Sequence, residues 1–262
     1  MIRLAANLST LFTELPFIDR FAAAADAGFR GVECQFPYAV PAADVVQQLR
    51  RHSLEFVLFN TPPGNAAAGE RGIAGLPGRE DEFHEGFDAA LRYAATAGCP
   101  RLHVMAGIAL GAADIERQRE VFVSNLAAAA DRAAAHGVQL LVEPINTRVD
   151  VPGYLIDSTV AAVACIKAAN RPNIALQFDV YHLQIMEGDL ARRFVHLLPV
   201  IGHVQIADNP GRHEPGSGEI NYPWLLSRFE SLGYTGWIGC EYLPETATVA
   251  GLAWAAPYLA KR

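Results

Sequence analysis

The chain has 262 residues, of which 51% are hydrophobic and 19% are charged, a composition typical of a well-packed globular protein. Its net charge of −7 argues against nonspecific binding to nucleic acid or to anionic membranes, because such binding needs a basic surface. The four cysteines form no Cys-x-x-Cys pair, and neither a leader nor a membrane-spanning run is evident. We therefore expect a cytoplasmic protein with reduced thiols.

Apolar runs with strand character alternate with runs of helical character along the whole chain. The predicted strands are 2–9, 31–36, 55–60, 101–107, 138–143, 174–179, 202–205 and 237–241. The predicted helices are 17–28, 42–53, 80–98, 114–137, 157–170, 188–199, 222–233 and a closing helix over 248–262. The longest irregular segment, 61–79, is rich in Gly and Pro, and its length is typical of a binding loop or lid.

Eight strand–helix units with short, glycine-marked turns favour an α/β fold, a (β/α)8 TIM barrel that spans residues 1–262 as a single domain. The glycines in question are Gly28, Gly98, Gly137 and Gly233. The alternative is an open doubly wound sheet, which normally has fewer units. A dinucleotide site is not predicted, because no Gly-x-Gly-x-x-Gly run follows the first strand.

Four successive predicted strands end in an oxygen-donor side chain, at Glu143, Asp179, Gln205 and Glu241. A buried parallel strand has little reason to carry a carboxylate there, although Asp179 is equally explained as a helix N-cap. Three crowded carboxylates would repel one another, and a divalent cation removes that conflict. All-oxygen ligation favours Mg²⁺ or Mn²⁺, so we predict a metal site at the mouth of the barrel.

Alternation along the strands assigns faces to their side chains. The residues predicted to point into the barrel are Glu33, Gln35, His103, Met105, Gln177, Asp179, His203 and Gln205. Those predicted to pack on the helices are Cys34, Val104, Phe178, Val204, Ile206 and Cys240. Because chemistry in such barrels occurs at the carboxyl ends of the strands, we expect the mouth to be ringed by Asn7, Asn60, His103, Glu143, Asp179, Gln205 and Glu241.

Further residues near the strand ends are candidates for binding an anionic substrate. A guanidinium on a loop can hold a carboxylate with two hydrogen bonds, and Arg71, Arg148 and Arg212 all follow predicted strands. Each of them alone is more often a solvated surface residue. His103 and His182 are candidates for hydrogen bonds to substrate. The alternative for His103 is a hydrogen-bonded histidine of the interior, and the alternative for His182 is a histidine on a surface loop.

Six runs spread over nearly the whole chain carry a family resemblance. They are AGERGIAGLPGRE, LHVMAG, LVEPINTR, HVQIAD, RHEPGSGEINYPWL and GYTGWIGCEY. These runs resemble the hydroxypyruvate isomerase family within the xylose-isomerase-like barrels, and Gln205 is specific because most relatives carry His there. The resemblance implies a metal-assisted aldose–ketose isomerisation of a small hydroxy-oxo acid, from hydroxypyruvate to tartronate semialdehyde. It implies a proton donor and acceptor pair, Glu143 and Glu241, and four metal ligands, Glu143, Asp179, Gln205 and Glu241.

The chain departs from the family pattern at two places. Leu243, Pro244 and Glu245 stand where some members have a basic residue on each side of Pro, and the loop near Val149 is one residue longer. The alternatives on the same site are therefore a 2-oxo-tetronate isomerase and a ketose 3-epimerase. A metal-dependent endonuclease would need more histidines and a basic face, and a non-catalytic sugar-acid binding protein would not need both glutamates. We expect a small-molecule substrate, a possible homo-oligomer, and neither a nucleic-acid nor a membrane partner.

Overall fold

Nine parallel strands form one sheet within residues 1–259, the part of the chain that the computed structural model describes. Their bounds are Arg3–Asn7 (β1), Gly31–Glu33 (β2), Glu55–Phe56 (β3), Phe59–Asn60 (β4), Arg101–His103 (β5), Gln139–Val142 (β6), Ile174–Asp179 (β7), Ile201–Ile206 (β8) and Trp237–Cys240 (β9). The strand order is β3-β2-β1-β9-β8-β7-β6-β5-β4. Because β3 and β4 are two pieces of the third predicted strand, the sheet closes on itself, and the predicted TIM barrel is confirmed.

The α-helices of the described residues follow the strands as the sequence predicts, with one addition. They are Arg20–Asp26 (α1), Ala42–His52 (α2), Glu80–Ala97 (α3), Ile115–Ala134 (α4), Thr159–Ala169 (α5), Val180–Met186 (α6), Leu190–Leu197 (α7) and Tyr222–Ser231 (α8). Helix α6 was not predicted, and it begins directly after β7. None of the helices in this part of the chain is long and apolar enough to cross a membrane.

The predicted closing helix over 248–262 is confirmed only in part. The chain forms a short 3-10 helix at Ala250–Ala255, and residues 260–262 lie outside the described residues. Pro257 has no backbone N–H to donate, which limits a regular helix in this segment.

The helix-facing side of the sheet forms the main apolar core. Phe178 of β7 packs edge-on against Phe194 of α7 and Phe229 of α8, with ring centroids 5.4 and 6.4 Å away. Phe194 and Phe229 stack on each other at 3.8 Å. The outward assignment of Phe178, Val204 and Cys240 is thereby confirmed, since all three are fully buried in this core.

A second, smaller apolar cluster lies apart from this core and includes residues of four strands and of the link between β3 and β4. It consists of Ala5, Val57, Leu58, Leu141, Ala175 and Trp237. Gly31 is required beside Trp237, because a Cβ at this position would lie 2.8 Å from the indole ring. By closing off the amino-terminal part of the barrel, this cluster leaves the polar strand ends as the place for a site.

Candidate active site

The buried carboxylate of Glu33 organises a polar layer inside the barrel. Its Oε2 lies 2.7 Å from Nε2 of His203, and its Oε1 accepts hydrogen bonds from Asn7 at 3.0 Å and from Gln205 at 2.8 Å. Gly239 makes room for it, because a Cβ there would lie 2.3 Å from both carboxylate oxygens. The predicted inward orientation of Glu33, His203 and Gln205 is confirmed.

Above this layer, a cavity of about 350 Å³ opens at the carboxyl ends of the strands. Its polar lining includes Gln35, Asn60, Arg71, His103, Glu143, Asp150, His182, Arg212 and Glu241. Asn7, which the sequence placed at the mouth, is buried below the cavity and donates to Glu33. The mouth residues therefore form two levels, because side chains one pleat apart along a strand stand at different depths.

Glu143 follows β6 directly and is almost fully buried. Its Oε2 lies 3.3 Å from Nδ1 of His103, and its Oε1 lies 3.8 Å from Nε2 of His182. Burial raises the pKa of Glu143 well above its ordinary value, and the nearby charges of Asp179 and Glu241 raise it further. The side chain therefore holds a proton strongly when the site contains no cation.

Glu241 follows β9 and receives hydrogen bonds on both carboxylate oxygens. Gln35 donates to its Oε1 at 2.8 Å, and Gln205 donates to its Oε2 at 2.5 Å. Arg212 also donates to Oε1, at 3.2 Å. Burial raises the pKa of Glu241 to about 7, although the guanidinium of Arg212 opposes this shift. An acid whose pKa is near neutral can both accept and donate a proton at physiological pH.

Asp179 satisfies both interpretations of its sequence position. Its Oδ1 caps helix α6 by accepting from the backbone N–H groups of Tyr181 and His182, at 2.8 and 3.1 Å. Its Oδ2 faces the other way and lies 3.9 Å from Nε2 of His182. Glu143, Asp179 and His182 each offer a ligand atom within 4.8 Å of the other two, so this group could hold a metal ion.

The side-chain amide of Gln205 is turned with its nitrogen toward the carboxylates. Nε2 donates to both Glu33 and Glu241, whereas Oε1 accepts a hydrogen bond from Gln177 at 2.5 Å. The atom of Gln205 that would bind a metal therefore faces Gln177. Ligation through Oε1 would require both amides to rotate, because Gln177 would then have to accept from Gln205.

The two histidines of the cavity are buried and neutral at physiological pH. Burial lowers the pKa of His103 to about 3, with a further contribution from His182, and lowers the pKa of His182 to about 4. Both rings can therefore take part in hydrogen bonds without adding a charge. Neither ring nitrogen of His103 has a hydrogen-bond partner among the described residues.

The three candidate arginines occupy different environments. Arg212 is largely buried in the mouth, donates to Oδ1 of Asp150 at 2.9 Å and lies over the ring of Tyr181. Arg71 is exposed at the edge of the cavity. Arg148 is exposed, donates to the carbonyl oxygen of Ile185 at 2.7 Å and does not line the cavity. The structure thus brings Arg71 and Arg212 to the cavity and leaves Arg148 outside it.

The loop over 61–79, predicted as a lid, is fastened along its second half. Gly72 forms a β-bridge with Ala106, and Gly75 N–H donates to the carbonyl oxygen of Ala106 at 2.8 Å. Arg79 pairs with Glu70 and thereby ties the end of the loop to its tip. The segment around Arg71 is accordingly a short tip on a fixed base.

Sequence reasoning missed two polar residues of this site, Asn146 and Asp150. Both lie on the loop after β6, and Asn146 is fully buried. A signal for Asn146 was present, because Asn in a loop is a turn former that bonds nearby backbone groups. Gln35 was predicted to face inward but was not assigned to the site, where it donates to Glu241.

Comparisons with known proteins agree with this architecture. The model of the family described as xylose isomerase-like TIM barrel matches residues 21–258. The chain is 51% identical to a 2-oxo-tetronate isomerase of Cupriavidus necator, with all of both chains covered. It is 45% identical to a hydroxypyruvate isomerase of Escherichia coli, over 98% of this chain and all of the other. A crystal structure titled AP endonuclease, family 2, from Brucella melitensis is 52% identical, with a TM-score of 0.97 over 99% of this chain and all of the other.

Proposed function

Because the chain belongs to the xylose isomerase-like TIM-barrel family, we propose that it interconverts the aldehyde and ketone forms of a small hydroxy-oxo acid. Hydroxypyruvate and tartronate semialdehyde are the first pair to test. The observation that carries this proposal is the position of Glu143 and Glu241, two buried carboxyl groups with raised pKa values that line the same cavity. Such a pair is what a proton transfer between neighbouring carbons needs.

The reaction removes a proton from the carbon next to a carbonyl and returns a proton to the neighbouring carbon. Glu143 and Glu241 follow β6 and β9, which are separated in the sheet by β7 and β8, so that they can flank a bound substrate. One of them would act as base and the other as acid, each contributing roughly 10²–10⁴-fold to the rate. The pKa of about 7 suits Glu241 to such a role, because proton transfer is most effective when the pKa lies near the working pH.

Hydrogen-bond donors would stabilise the negative charge that develops on the substrate oxygens. His182 lines the cavity as a neutral ring. Arg212 is already paired with Glu241 and Asp150, so its charge is largely balanced within the protein. Arg71, at the exposed edge of the cavity, is the better placed of the two arginines for the substrate carboxylate.

The donor set of the site fits a divalent cation. Burial and the charge of Asp179 raise the pKa of Glu143, because its charged form is poorly solvated and is repelled by Asp179. A bound cation would relieve this repulsion. Glu143, Asp179 and Glu241 would hold the ion, with Gln205 as fourth ligand after rotation of its amide. Oxygen donors favour Mg²⁺ or Mn²⁺. When bound, the ion would supply Lewis-acid stabilisation of charge on the substrate oxygens.

A four-carbon substrate is the second candidate. The relative from Cupriavidus necator is named a 2-oxo-tetronate isomerase and is the more similar of the two isomerases compared. The loss of basic residues around Leu243 also separates this chain from some hydroxypyruvate isomerases. A ketose 3-epimerase would use the same pair of carboxyl groups on an uncharged substrate.

Proton NMR in D₂O tests the proposal directly. Metal-stripped protein is mixed with hydroxypyruvate or 2-oxo-tetronate, before and after addition of Mg²⁺ or substoichiometric Mn²⁺. We expect metal-dependent exchange of the proton next to the carbonyl together with product formation. Glu143→Gln and Glu241→Gln should abolish both, whereas the exposed control Glu116→Gln should behave as wild type. Neither exchange nor product with both acids and a ketose panel under any metal would refute the function.

A further inference from the structure

The amide orientation of Asn146 is determined by two backbone donors. Its Oδ1 accepts hydrogen bonds from the N–H groups of Val149 and Asp150, at 2.9 and 3.0 Å. A side-chain nitrogen in that place would meet two further N–H groups, so the oxygen of this amide has one possible position. The nitrogen must then point to the opposite side, into the wall of the cavity.

Both hydrogens of that amide nitrogen are used. Nδ2 of Asn146 lies 2.5 Å from Oδ2 of Asp150 and 2.7 Å from Nδ1 of His182. Asp150 is held in place from its other oxygen by Arg212, at 2.9 Å. Since the amide nitrogen can only donate, Nδ1 of His182 must be the acceptor. A neutral imidazole that accepts at Nδ1 carries its proton on Nε2.

The resulting Nε2–H group of His182 points to the carboxylates without bonding to them. Nε2 lies 3.8 Å from Oε1 of Glu143 and 3.9 Å from Oδ2 of Asp179, and both distances exceed a hydrogen bond. His182 also lines the cavity. Its N–H is therefore available to an oxygen atom of a ligand, and a protonated Nε2 has no lone pair for a metal ion.

We propose that Asn146 is a positioning residue that fixes His182 in the Nε2–H tautomer, so that His182 donates a hydrogen bond to a substrate oxygen and does not ligate the metal. The kinetic part of this proposal rests on the isomerase function proposed above. The tautomer itself does not, because it follows from hydrogen bonds within the protein. Within the cluster of Glu143, Asp179 and His182, the two carboxylates would accordingly bind a metal ion, and His182 would donate a hydrogen bond to the substrate.

Nitrogen-15 NMR of the histidine rings tests the tautomer without any turnover. In metal-free, labelled protein near neutral pH, the His182 signals are identified as those missing from His182→Gln. We expect a protonated Nε2 and an unprotonated Nδ1 in the wild type, and the same pattern after addition of diamagnetic Mg²⁺. A proton on Nδ1 in the wild type, or loss of the Nε2 proton on binding Mg²⁺, would overturn the proposal.

Asn146→Asp places a carboxylate oxygen opposite Nδ1, so we expect the His182 proton to move from Nε2 to Nδ1. The control Asn221→Asp, which retains an acceptor at the start of α8, should leave the His182 spectrum unchanged. If Asn146→Asp does not fold, Asn146→Ser is measured, which removes the enforced donor and should give a mixture of tautomers. An unaltered Nε2–H pattern in whichever folded variant is measured would refute the positioning role.

Kinetics provide the functional readout on the substrate found by the exchange experiment. A donor to a developing charge acts mainly in the transition state, so Asn146→Asp should lower kcat by at least about tenfold with a smaller change in KM. A change confined to KM would contradict the proposal. If wild-type protein turns over no substrate, the isomerase function fails, while the NMR result still decides the tautomer.

Discussion

The side-chain amide of Gln205 donates to Oε2 of Glu241 at 2.5 Å, and the same nitrogen donates to Oε1 of Glu33 at 2.8 Å. One neutral group therefore separates two buried carboxyl groups. A positive side chain at this place would pair with them, and a negative one would add a third repelling charge. The stability of the metal-free protein should accordingly depend on this amide.

Gln205→Met keeps a similar volume and removes the donors, which leaves Glu33 and Glu241 each without one hydrogen bond. We expect a loss of about 1–3 kcal/mol in the free energy of unfolding. Urea denaturation of metal-free protein measures it. The control Gln184→Met removes a surface hydrogen bond to Glu219 and should change stability by no more than about 0.5 kcal/mol. Equal effects of the two substitutions would contradict the special role of Gln205.

The raised pKa of Glu241 predicts how stability changes with pH in the absence of metal. Burial raises this pKa to about 7, above its ordinary value of 4.5. Such a group stabilises the folded protein fully below the unfolded pKa, and this contribution is lost as the pH rises through about 7. Wild-type protein in a chelator should thus lose thermal stability from about pH 5 to pH 7 relative to Glu241→Gln.

The comparison with Glu241→Gln is needed because the histidines of the cavity act in the opposite direction. The lowered pKa values of His103 and His182 add stability as the pH rises toward about 6.5. Their contribution is shared by both proteins and cancels in the difference of melting temperatures. A difference that stays constant from about pH 5 to pH 7 would show that the pKa of Glu241 is not raised in the folded protein.

Metal binding should compete with the same protons. Adding Mg²⁺ or Mn²⁺ should raise the melting temperature more at about pH 8 than at about pH 6, because Glu143 and Glu241 must lose their protons to act as ligands. Scanning calorimetry over a metal titration measures this at each pH. Asp179→Asn should weaken the stabilisation, and Glu116→Gln should not. Stabilisation that is independent of pH would argue against these carboxylates as ligands.

Gly239 is predicted to tolerate no side chain. A Cβ there would lie 2.3 Å from the carboxylate oxygens of Glu33, so Gly239→Ala must displace that group from its buried hydrogen bonds. We expect a loss of about 1–3 kcal/mol in the free energy of unfolding. Gly111→Ala is the matched control, since its Cβ would meet Asp114 at an ordinary 3.6 Å. A Gly239→Ala protein as stable as this control would contradict the packing described here.

The fixed base of the loop over 61–79 predicts a role for Arg79 in substrate binding. Arg79 ties Glu70 at the tip of the loop to Glu82 on α3. Arg79→Met should release the tip that carries Arg71, and thereby raise KM severalfold with little change in kcat. Steady-state kinetics measures both, with the exposed Arg92→Met on α3 as control. An unchanged KM would show that the tip does not need this anchor.

The barrel and the orientation of its strand residues follow from local pattern. Strand alternation placed Glu33, Gln177, His203 and Gln205 in the interior, and the contacts among them confirm it. The sequence pattern did not predict α6. The seven residues of this helix follow an apolar strand directly, and their sequence is compatible with either a continued strand or a helix. Asp179 caps this helix through one carboxylate oxygen. The sequence alone did not decide whether Asp179 is a helix cap or a metal ligand.

By itself, the sequence determined the order of strands and helices and the presence of oxygen donors at the mouth, because side-chain periodicity and the ends of apolar runs are written in local spacing. Tertiary structure alone decided which donors are free. Asn7 pairs with Glu33 below the cavity, Gln205 turns its oxygen to Gln177, and Asn146 sets the proton of His182. These choices depend on partners that are distant in the chain, because each buried polar atom must find its hydrogen bond in the folded protein.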